Sequence, residues 1–392
     1  MGFLSGRMTF ERFQLEESTR QFGEEHVELL QKFAIGQIET ASPDAPTIGF
    51  LAGKHLFDTD FSLEKNVIDN ALHGALRIDT NKVDGPLQKA WLEMELAAMA
   101  AESETGRVTR AQRQQAKETV KARCEEEIAT GRFKRMAQTP FLWDAQEQMF
   151  YCGSSSAVTH EHFRSLFKEA FGLEFTRVTA GVLAEQIAAE QGWTKTLDNL
   201  TPARFGQNEA PETVAWLMQQ PESADYLGNE FLLWLWWHLA EKAEEITLVD
   251  DTVVTAMLSK SLLLECPRGE SGKESISADA PTRLPEALEA VQAGKLPRKT
   301  GITLVREGET YAFTLQAESL AVSGAAIEGE DSDKGRGALE ERVAAIRRLS
   351  QTLDLLFETF CSRRLQRVWN EDLTQIQSWL QTDRRPKARR AG

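Results

Sequence analysis

The chain has 392 residues, of which 41% are hydrophobic and 27% are charged, and its formal net charge is −15. This composition is typical of a folded globular protein and excludes collagen, coiled-coil rods and wholesale disorder, while the length predicts two or three domains. Because a uniformly acidic surface repels DNA, any nucleic-acid function requires local concentrations of positive charge.

The compartment is predicted from cysteine usage and from apolar runs. Met1–Thr9 contains no apolar segment of signal-peptide length, and the longest apolar run, Phe231–Trp237, is far shorter than the ~20 residues of a membrane span. The cysteines form no C-x-x-C pair, so we expect no zinc ribbon and no disulfide framework. We therefore expect a reduced, cytoplasmic protein that does not enter membranes and that binds no metal or cofactor. The four cysteines are Cys124, Cys152, Cys266 and Cys361.

Residues 1–172 predict an N-terminal α+β domain. Alternation of apolar side chains over Met8–Leu15 predicts a strand, and helical spacing over Ser18–Phe33 predicts a helix. Ile48–Leu51 and Leu72–Ile78 are then predicted as strands of the same sheet. Strands interleaved with helices in this way favour an α+β fold.

Two long helices are predicted next, over Leu87–Glu102 and over residues 109–130. Thr109 is a suitable N-cap for the second helix, and Gln112 follows three residues later, as in a capping box. Gly131 is a natural residue to end it.

A β-hairpin is predicted from Thr139–Trp143 and Gln148–Cys152, because two strand-like runs flank a short polar segment. The serines at 154–156 are predicted to cap a helix over His160–Phe171.

Residues 173–335 predict a middle α+β region. Its segment 267–297 is polar and rich in Gly, Ser and Pro, so we expect an insertion with little core. Further strands are predicted between residues 301 and 327. Residues 336–392 predict a C-terminal helical segment that ends in a basic tail. The overall expectation is a multi-domain α+β protein with antiparallel or mixed sheets and flanking helices.

Positive charge is concentrated in two segments of this acidic chain. Residues 107–135 contain nine basic and four acidic side chains, and residues 342–390 contain eleven and five. Cations spaced three or four residues apart form one stripe on a helix, and such a row matches the phosphate spacing of duplex DNA without reading bases. A solvated helix face with ordinary ion pairs is the alternative interpretation. The stripe consists of Arg107, Arg110, Arg113, Lys117 and Lys121.

Catalytic motifs are weak. Gly269–Ser275 departs from the spacing of a phosphate-binding Walker loop. Gly153–Ala157 has the context of a nucleophile elbow around Ser155, but serines at a helix start are the ordinary capping solution. His160 and His162 are two residues apart, so their rings diverge on a helix and do not share a metal.

The basic helix is followed by Gly131–Arg135 and then by a strand that ends in Leu142-Trp143-Asp144. Together with the opening strand Phe10–Phe13 and the tryptophan-rich block Asn229–Trp237, these residues resemble the RdgC family of recombination-associated proteins. The resemblance is most specific over Arg107–Asp144. The family commonly has Trp-Ile-Asp where this chain has Leu-Trp-Asp.

The resemblance implies an α+β protein that dimerises into a closed ring around duplex DNA. It further implies DNA binding without sequence preference, association with the nucleoid, and restraint of a RecA-type recombinase without enzymatic activity. By position in the motif it adds four residues to the stripe as expected DNA contacts. These are Arg132, Phe133, Lys134 and Arg135.

Two other classes of function stay open on the sequence alone. The chain could be an enzyme, either a hydrolase that uses Ser155 or a nuclease with an unrecognised metal site. It could also be a scaffold whose basic segments bind acidic protein partners.

Overall fold

A computed structural model of the protein describes residues 3–15, 20–37, 45–103, 106–206, 223–267, 269, 272–327 and 335–381. In these ranges the helices are α1 (Glu24–Lys32), α2 (Leu63–Asn66), α3 (Gly85–Glu102), α4 (Arg110–Ala129), α5 (Ala157–Phe171), α6 (Ala180–Gln191), α7 (Thr194–Asp198), α8 (Tyr226–Glu241), α9 (Pro285–Gln292), α10 (Arg336–Arg364) and α11 (Trp369–Gln381). The strands are β1 (Met8–Leu15), β2 (Thr47–Leu51), β3 (Val67–Ile68), β4 (Ala71–Asn81), β5 (Lys134–Asp144), β6 (Met149–Cys152), β7 (Phe175–Arg177), β8 (Glu245–Thr247), β9 (Val253–Glu265), β10 (Glu274–Ala278), β11 (Leu296–Arg306), β12 (Glu309–Gln316) and β13 (Val322–Ile327).

The strands form one sheet in the order β10-β9-β11-β12-β13-β1-β6-β5-β4-β2. β3, β7 and β8 pair with β4, β1 and β9. All ladders between the described strands are antiparallel. The expected α+β class with antiparallel strands and flanking helices is thus confirmed.

β1 joins the two halves of this sheet. Its start pairs with β13 and its end pairs with β6 and β7. Met8 and Phe10 are buried in one hydrophobic core, and Phe13 and Leu15 are buried in a second core on the opposite face. The predicted alternation over this strand is confirmed, because successive side chains of a strand point to opposite faces.

α10 lies against the junction of the two halves. Its apolar side chains pack into the larger core, and two of its polar groups bind the first half of the sheet. Arg347 Nε donates a hydrogen bond to Asp144 Oδ2 at 2.6 Å, and Arg12 Nη1 of β1 is 2.7 Å from Asp354 Oδ1. These contacts hold the helix in register on the sheet.

The segment 267–297 is not an insertion with little core, so that expectation is wrong. β10 pairs with β9 at one edge of the sheet, and α9 buries Ala287, Leu288 and Val291. α9 is an eight-residue amphipathic helix, and the Gly, Ser and Pro residues around it hide its short apolar pattern.

Several predicted boundaries shift. α1 begins at Glu24 rather than near Ser18, which lies outside the described residues. The predicted hairpin is formed by β5 and β6 and is confirmed. The helical segment near the C-terminus consists of α10 and α11, and the basic tail at 383–392 lies outside the described residues.

The three predicted domains remain a prediction. The boundary at 172 coincides with the end of α5 and the boundary at 335 with the start of α10, but β1 and β13 belong to one continuous sheet. Within the described ranges, no helix combines the length and the hydropathy that crossing a bilayer requires.

Candidate nucleic-acid interface

The basic helix lies on an arm inserted between two neighbouring strands. β4 and β5 pair along their whole length, from Ala71 opposite Asp144 to Asn81 opposite Lys134. The chain between them, residues 82–133, contains α3 and α4, and we call it the arm. Asn81 Nδ2 donates a hydrogen bond to the Ile128 carbonyl at 2.7 Å, which fixes the end of α4 to the strand.

The arm has a small hydrophobic core of its own. Val83, Trp91 and Val120 are buried there, and the Arg123 guanidinium lies 4.2 Å from the centroid of the Trp91 ring. Because this core uses one side of α4, the remaining sides of the helix face outward. The partly buried residues around the core are Leu87, Leu92, Cys124, Ile128 and Phe133.

The start of α4 is set by the predicted capping box. The Thr109 hydroxyl accepts a hydrogen bond from the Gln112 N–H at 3.3 Å, and the Gln112 side chain accepts one from the Thr109 N–H at 2.9 Å. Two otherwise unpaired backbone donors are satisfied in this way, which stabilises the first turn. The prediction of the cap and of the helix bounds is confirmed.

The first four residues of the stripe are exposed and unpaired. Arg110, Arg113 and Lys117 lie on α4, whereas Arg107 precedes the N-cap of the helix, so its predicted place on the helical stripe is wrong. All four side chains are exposed. None of them forms an ion pair with a carboxylate among the described residues. The first turn of α4 contains no acidic residue. Cations near a helix N-terminus oppose the helix dipole, so this end of α4 is strongly electropositive and suited to an external anion.

The remaining predicted cations are paired with carboxylates of the same arm or of its base. The pairs of Lys121 and Arg135 join two exposed side chains, and such pairs contribute only ~0–1 kcal/mol, so phosphates can replace these carboxylates at small cost. Arg132 pairs with a partly exposed carboxylate and Lys134 with the buried carboxylate of Asp79. These four cations therefore fit the alternative interpretation, in which the basic side chains form ordinary ion pairs on a solvated surface. The pairs are Lys121–Glu125 at 3.7 Å, Arg132–Glu127 at 3.2 Å, Lys134–Asp79 at 3.1 Å and Arg135–Asp84 at 2.6 Å.

Phe133 is half-buried against the core of the arm. Its ring packs beside the end of α4, where Ile128 and Cys124 also lie. This position gives the aromatic residue a structural role in the arm. Its expected contact with DNA remains a prediction.

Within the described part of the second basic segment, three cations are buried. Arg347 and Arg364 are buried, and Arg364 Nε lies 2.5 Å from Glu230 Oε2 of α8. Arg342 is also buried and donates a hydrogen bond to the Phe3 carbonyl, and burial lowers its pKa to about 10. These three cations stabilise the fold, so among the described cations the stripe is the stronger candidate for binding nucleic acid.

The serine-rich turn before α5 forms an ordinary cap. The Ser156 hydroxyl accepts a hydrogen bond from the Thr159 N–H at 3.4 Å. His160 Nε2 donates to the Ser154 carbonyl at 2.7 Å, and no hydrogen bond to a Ser155 hydroxyl is present among the described residues. In the same part of the chain, no group of three or more His, Cys, Asp or Glu side chains is placed to hold a metal ion.

A second feature at the base of the arm was not predicted. Arg77 of β4 forms a bidentate pair with Asp79, and the same carboxylate binds Lys134 at 3.1 Å. The exposed ring of Phe57 lies 5.2 Å from the Arg77 guanidinium. The sequence contained a signal for this pair. Arg77 and Asp79 occupy alternate positions near the end of the largely apolar strand β4, so their side chains lie on the same face.

The comparisons with known proteins do not assign the chain to a family. No protein-family model matches the chain, and no curated protein sequence matches it. The likeness to RdgC therefore rests on the motif residues described above.

Proposed function

We propose that the protein binds double-stranded DNA without sequence preference, through the stripe on α4 and the cations that follow it. The bound form is a homodimer whose two arms enclose the duplex. By occupying DNA in this way, it restrains a RecA-type recombinase, and it does so without catalysing a reaction.

The observation that carries the proposal is the unpaired part of the stripe on α4. Arg110, Arg113 and Lys117 are exposed on successive turns of a capped helix, and no described carboxylate neutralises them. Solubility does not explain this row. On a chain of net charge −15, acidic side chains at these positions would increase solubility more than cations do. A row of unpaired cations is favourable when phosphates bind to it and release counterions.

The recombinase and dimer parts of the proposal have different support. The resemblance of Arg107–Asp144 to RdgC supports a role in recombination. The apolar surface of α3 supports the dimer, because Trp91 is the one buried residue of that 18-residue helix.

The proposed DNA binding is tested by fluorescence anisotropy with a labelled duplex at two salt concentrations. Neutralising about four phosphates predicts that affinity falls about 100-fold between 50 and 200 mM salt. Reversing charge with Arg113→Glu and Lys117→Glu together should abolish measurable binding. The same double variant should also stop inhibiting RecA-dependent strand exchange.

A matched control carries the same change of charge away from the arm. Lys195→Glu with Lys299→Glu alters two exposed lysines on α7 and β11 and should bind DNA nearly as well as the unchanged protein. Equal binding by the arm variant and the control would refute the assignment of the stripe. The absence of binding by the unchanged protein at 50 mM salt would refute DNA binding altogether and favour a protein-binding scaffold.

A further inference from the structure

Phe57 is an exposed aromatic residue at the base of the arm. It lies in the loop between β2 and α2, and 67% of its surface is accessible. Exposing a phenyl ring to water costs free energy that burial would recover. Among the described residues Phe57 is the most exposed large hydrophobic side chain, and an exposed aromatic ring is a surface on which a nucleobase can stack.

The loop holds this ring in a defined position. The Ala52 N–H donates a hydrogen bond to the Asp58 carbonyl at 2.8 Å, and the Asp58 N–H donates to the His55 carbonyl at 3.0 Å. The Asp58 carboxylate accepts hydrogen bonds from the Lys54 N–H at 2.9 Å and from Lys65 Nζ at 2.6 Å. Because these bonds close the loop on itself, Phe57 is preorganised and does not lose much conformational entropy on binding.

Arg77 supports one face of the ring from below. Its Nη1 donates to the Leu56 carbonyl at 2.7 Å, and its guanidinium lies 5.2 Å from the Phe57 centroid. Its Nη2 lies 3.0 Å from the sulfur of Met136, whose side chain is 37% exposed. No second ring or cation stacks on Phe57 within the part of the chain that the structure describes. The outer surface of Phe57 is thus available to a flat ligand.

One cation of the proposed DNA site is linked to this ring through two side chains. Lys134 and Arg77 bind the same Asp79 carboxylate, and the Arg77 guanidinium in turn contacts the Phe57 ring. Arg77, Asp79 and Lys134 lie on one face of the β4–β5 ladder. An exposed ring beside cations is the combination that binds a base and its phosphate together.

We infer that Phe57 stacks on a nucleobase, so the protein recognises DNA that contains an unpaired or unstacked base in addition to the phosphates of the duplex. The inference rests on the proposed DNA binding and adds a base contact to it. Arg77 is a positioning residue in this arrangement, because its bonds to Asp79 and to the Leu56 carbonyl orient the loop and the ring.

The test compares a fully paired duplex with the same duplex carrying a single-stranded gap of a few nucleotides. Base–aromatic stacking removed by alanine substitution lowers affinity about 5- to 100-fold, so Phe57→Ala should lose that factor on gapped DNA. On fully paired DNA the loss should be below about twofold, because the stripe contacts only phosphates. Phe57→Trp should retain the preference for gapped DNA.

A direct readout uses a single 5-iododeoxyuridine in the gap. Irradiation should cross-link it to the peptide that contains Phe57, and Met257→Ala, which removes an exposed side chain on β9, should leave cross-linking and affinity unchanged.

The outcomes separate this inference from the proposed function. If Phe57→Ala binds both DNAs as the unchanged protein does, while the Arg113 and Lys117 reversal abolishes binding, the base contact is wrong and the phosphate site stands. If cross-links form only on peptides of α4, the base contact is likewise wrong. If the unchanged protein binds neither DNA, both proposals fail together.

Discussion

The partly buried side chain of His73 shows how a single residue uses a polar contact in this protein. His73 of β4 donates its Nε2 hydrogen to the Lys65 carbonyl at 2.6 Å, because a carbonyl oxygen can only accept. Burial lowers the pKa of His73 from 6.5 to about 4, since the charged imidazolium is poorly solvated there. The histidine is therefore neutral in the folded protein across the physiological range.

This neutral histidine predicts a loss of stability in acid. Between pH 6.5 and about 4 the unfolded chain takes up a proton at His73 that the folded chain does not. The free energy of unfolding should therefore fall by up to about 1.4 kcal/mol per pH unit through this range as a result of this residue. His73→Gln retains an N–H donor without the titration, so its urea-unfolding free energy should fall less between pH 6.5 and 4.5. An equally steep fall in the variant would contradict the assignment.

At the scale of elements, the DNA binding proposed for α4 depends on the first turn of this helix. The capping box at Thr109 orders the turn that carries Arg110 and Arg113. The cations in this turn are repelled by the positive end of the helix dipole, and no acidic residue in the turn offsets this repulsion. The cap is therefore more important for the stability of the turn.

Removal of the cap predicts a local effect. Thr109→Ala should cost about 1 kcal/mol at the start of the helix. Amide hydrogens at 112–115 should exchange faster, and DNA affinity should fall several-fold. The midpoint of global unfolding should change little, because the arm has its own small core. Thr109→Ser keeps the hydroxyl and should behave as the unchanged protein; fraying in that variant too would show that the cap is not the cause.

Elements with strong local patterns were predictable, whereas α9 and β10 were not. The helices of the arm have capping and spacing signals that extend over many residues, and they were predicted within two residues. α9 and β10 have eight and five residues and take their stability from packing against β9 and α11. Such elements depend on tertiary contacts, which a local pattern does not contain.

At the scale of the whole molecule, the proposed homodimer draws its support from α3. All 18 residues of α3 are described, yet Trp91 is its one buried side chain, and Met94 is 64% exposed. Leu92, Leu96 and Met99 are half-buried. Apolar side chains left exposed along one helix are stabilised when a second protein surface covers them.

The proposed homodimer is tested at this surface. Met94→Glu places a charge on the exposed side of α3 and should shift the protein from dimer to monomer at micromolar concentration, as measured by light scattering coupled to gel filtration. Met257→Glu changes an equally bulky exposed methionine on β9 and should leave the mass unchanged. If the unchanged protein is a monomer, or if the Met94→Glu variant remains a dimer, α3 does not form a dimer interface.

The α+β class, the two helices of the arm and the row of cations on α4 were determined by the sequence alone, because each follows from spacing between nearby residues. Which cations are free to bind a ligand was decided only by the tertiary structure. Arg135 pairs with Asp84, 51 residues earlier in the chain, and Lys134 pairs with Asp79 across the β4–β5 ladder, whereas Arg113 and Lys117 meet no described carboxylate. Charge neutralisation depends on distances in space, and the folded chain brings together residues that are far apart in sequence.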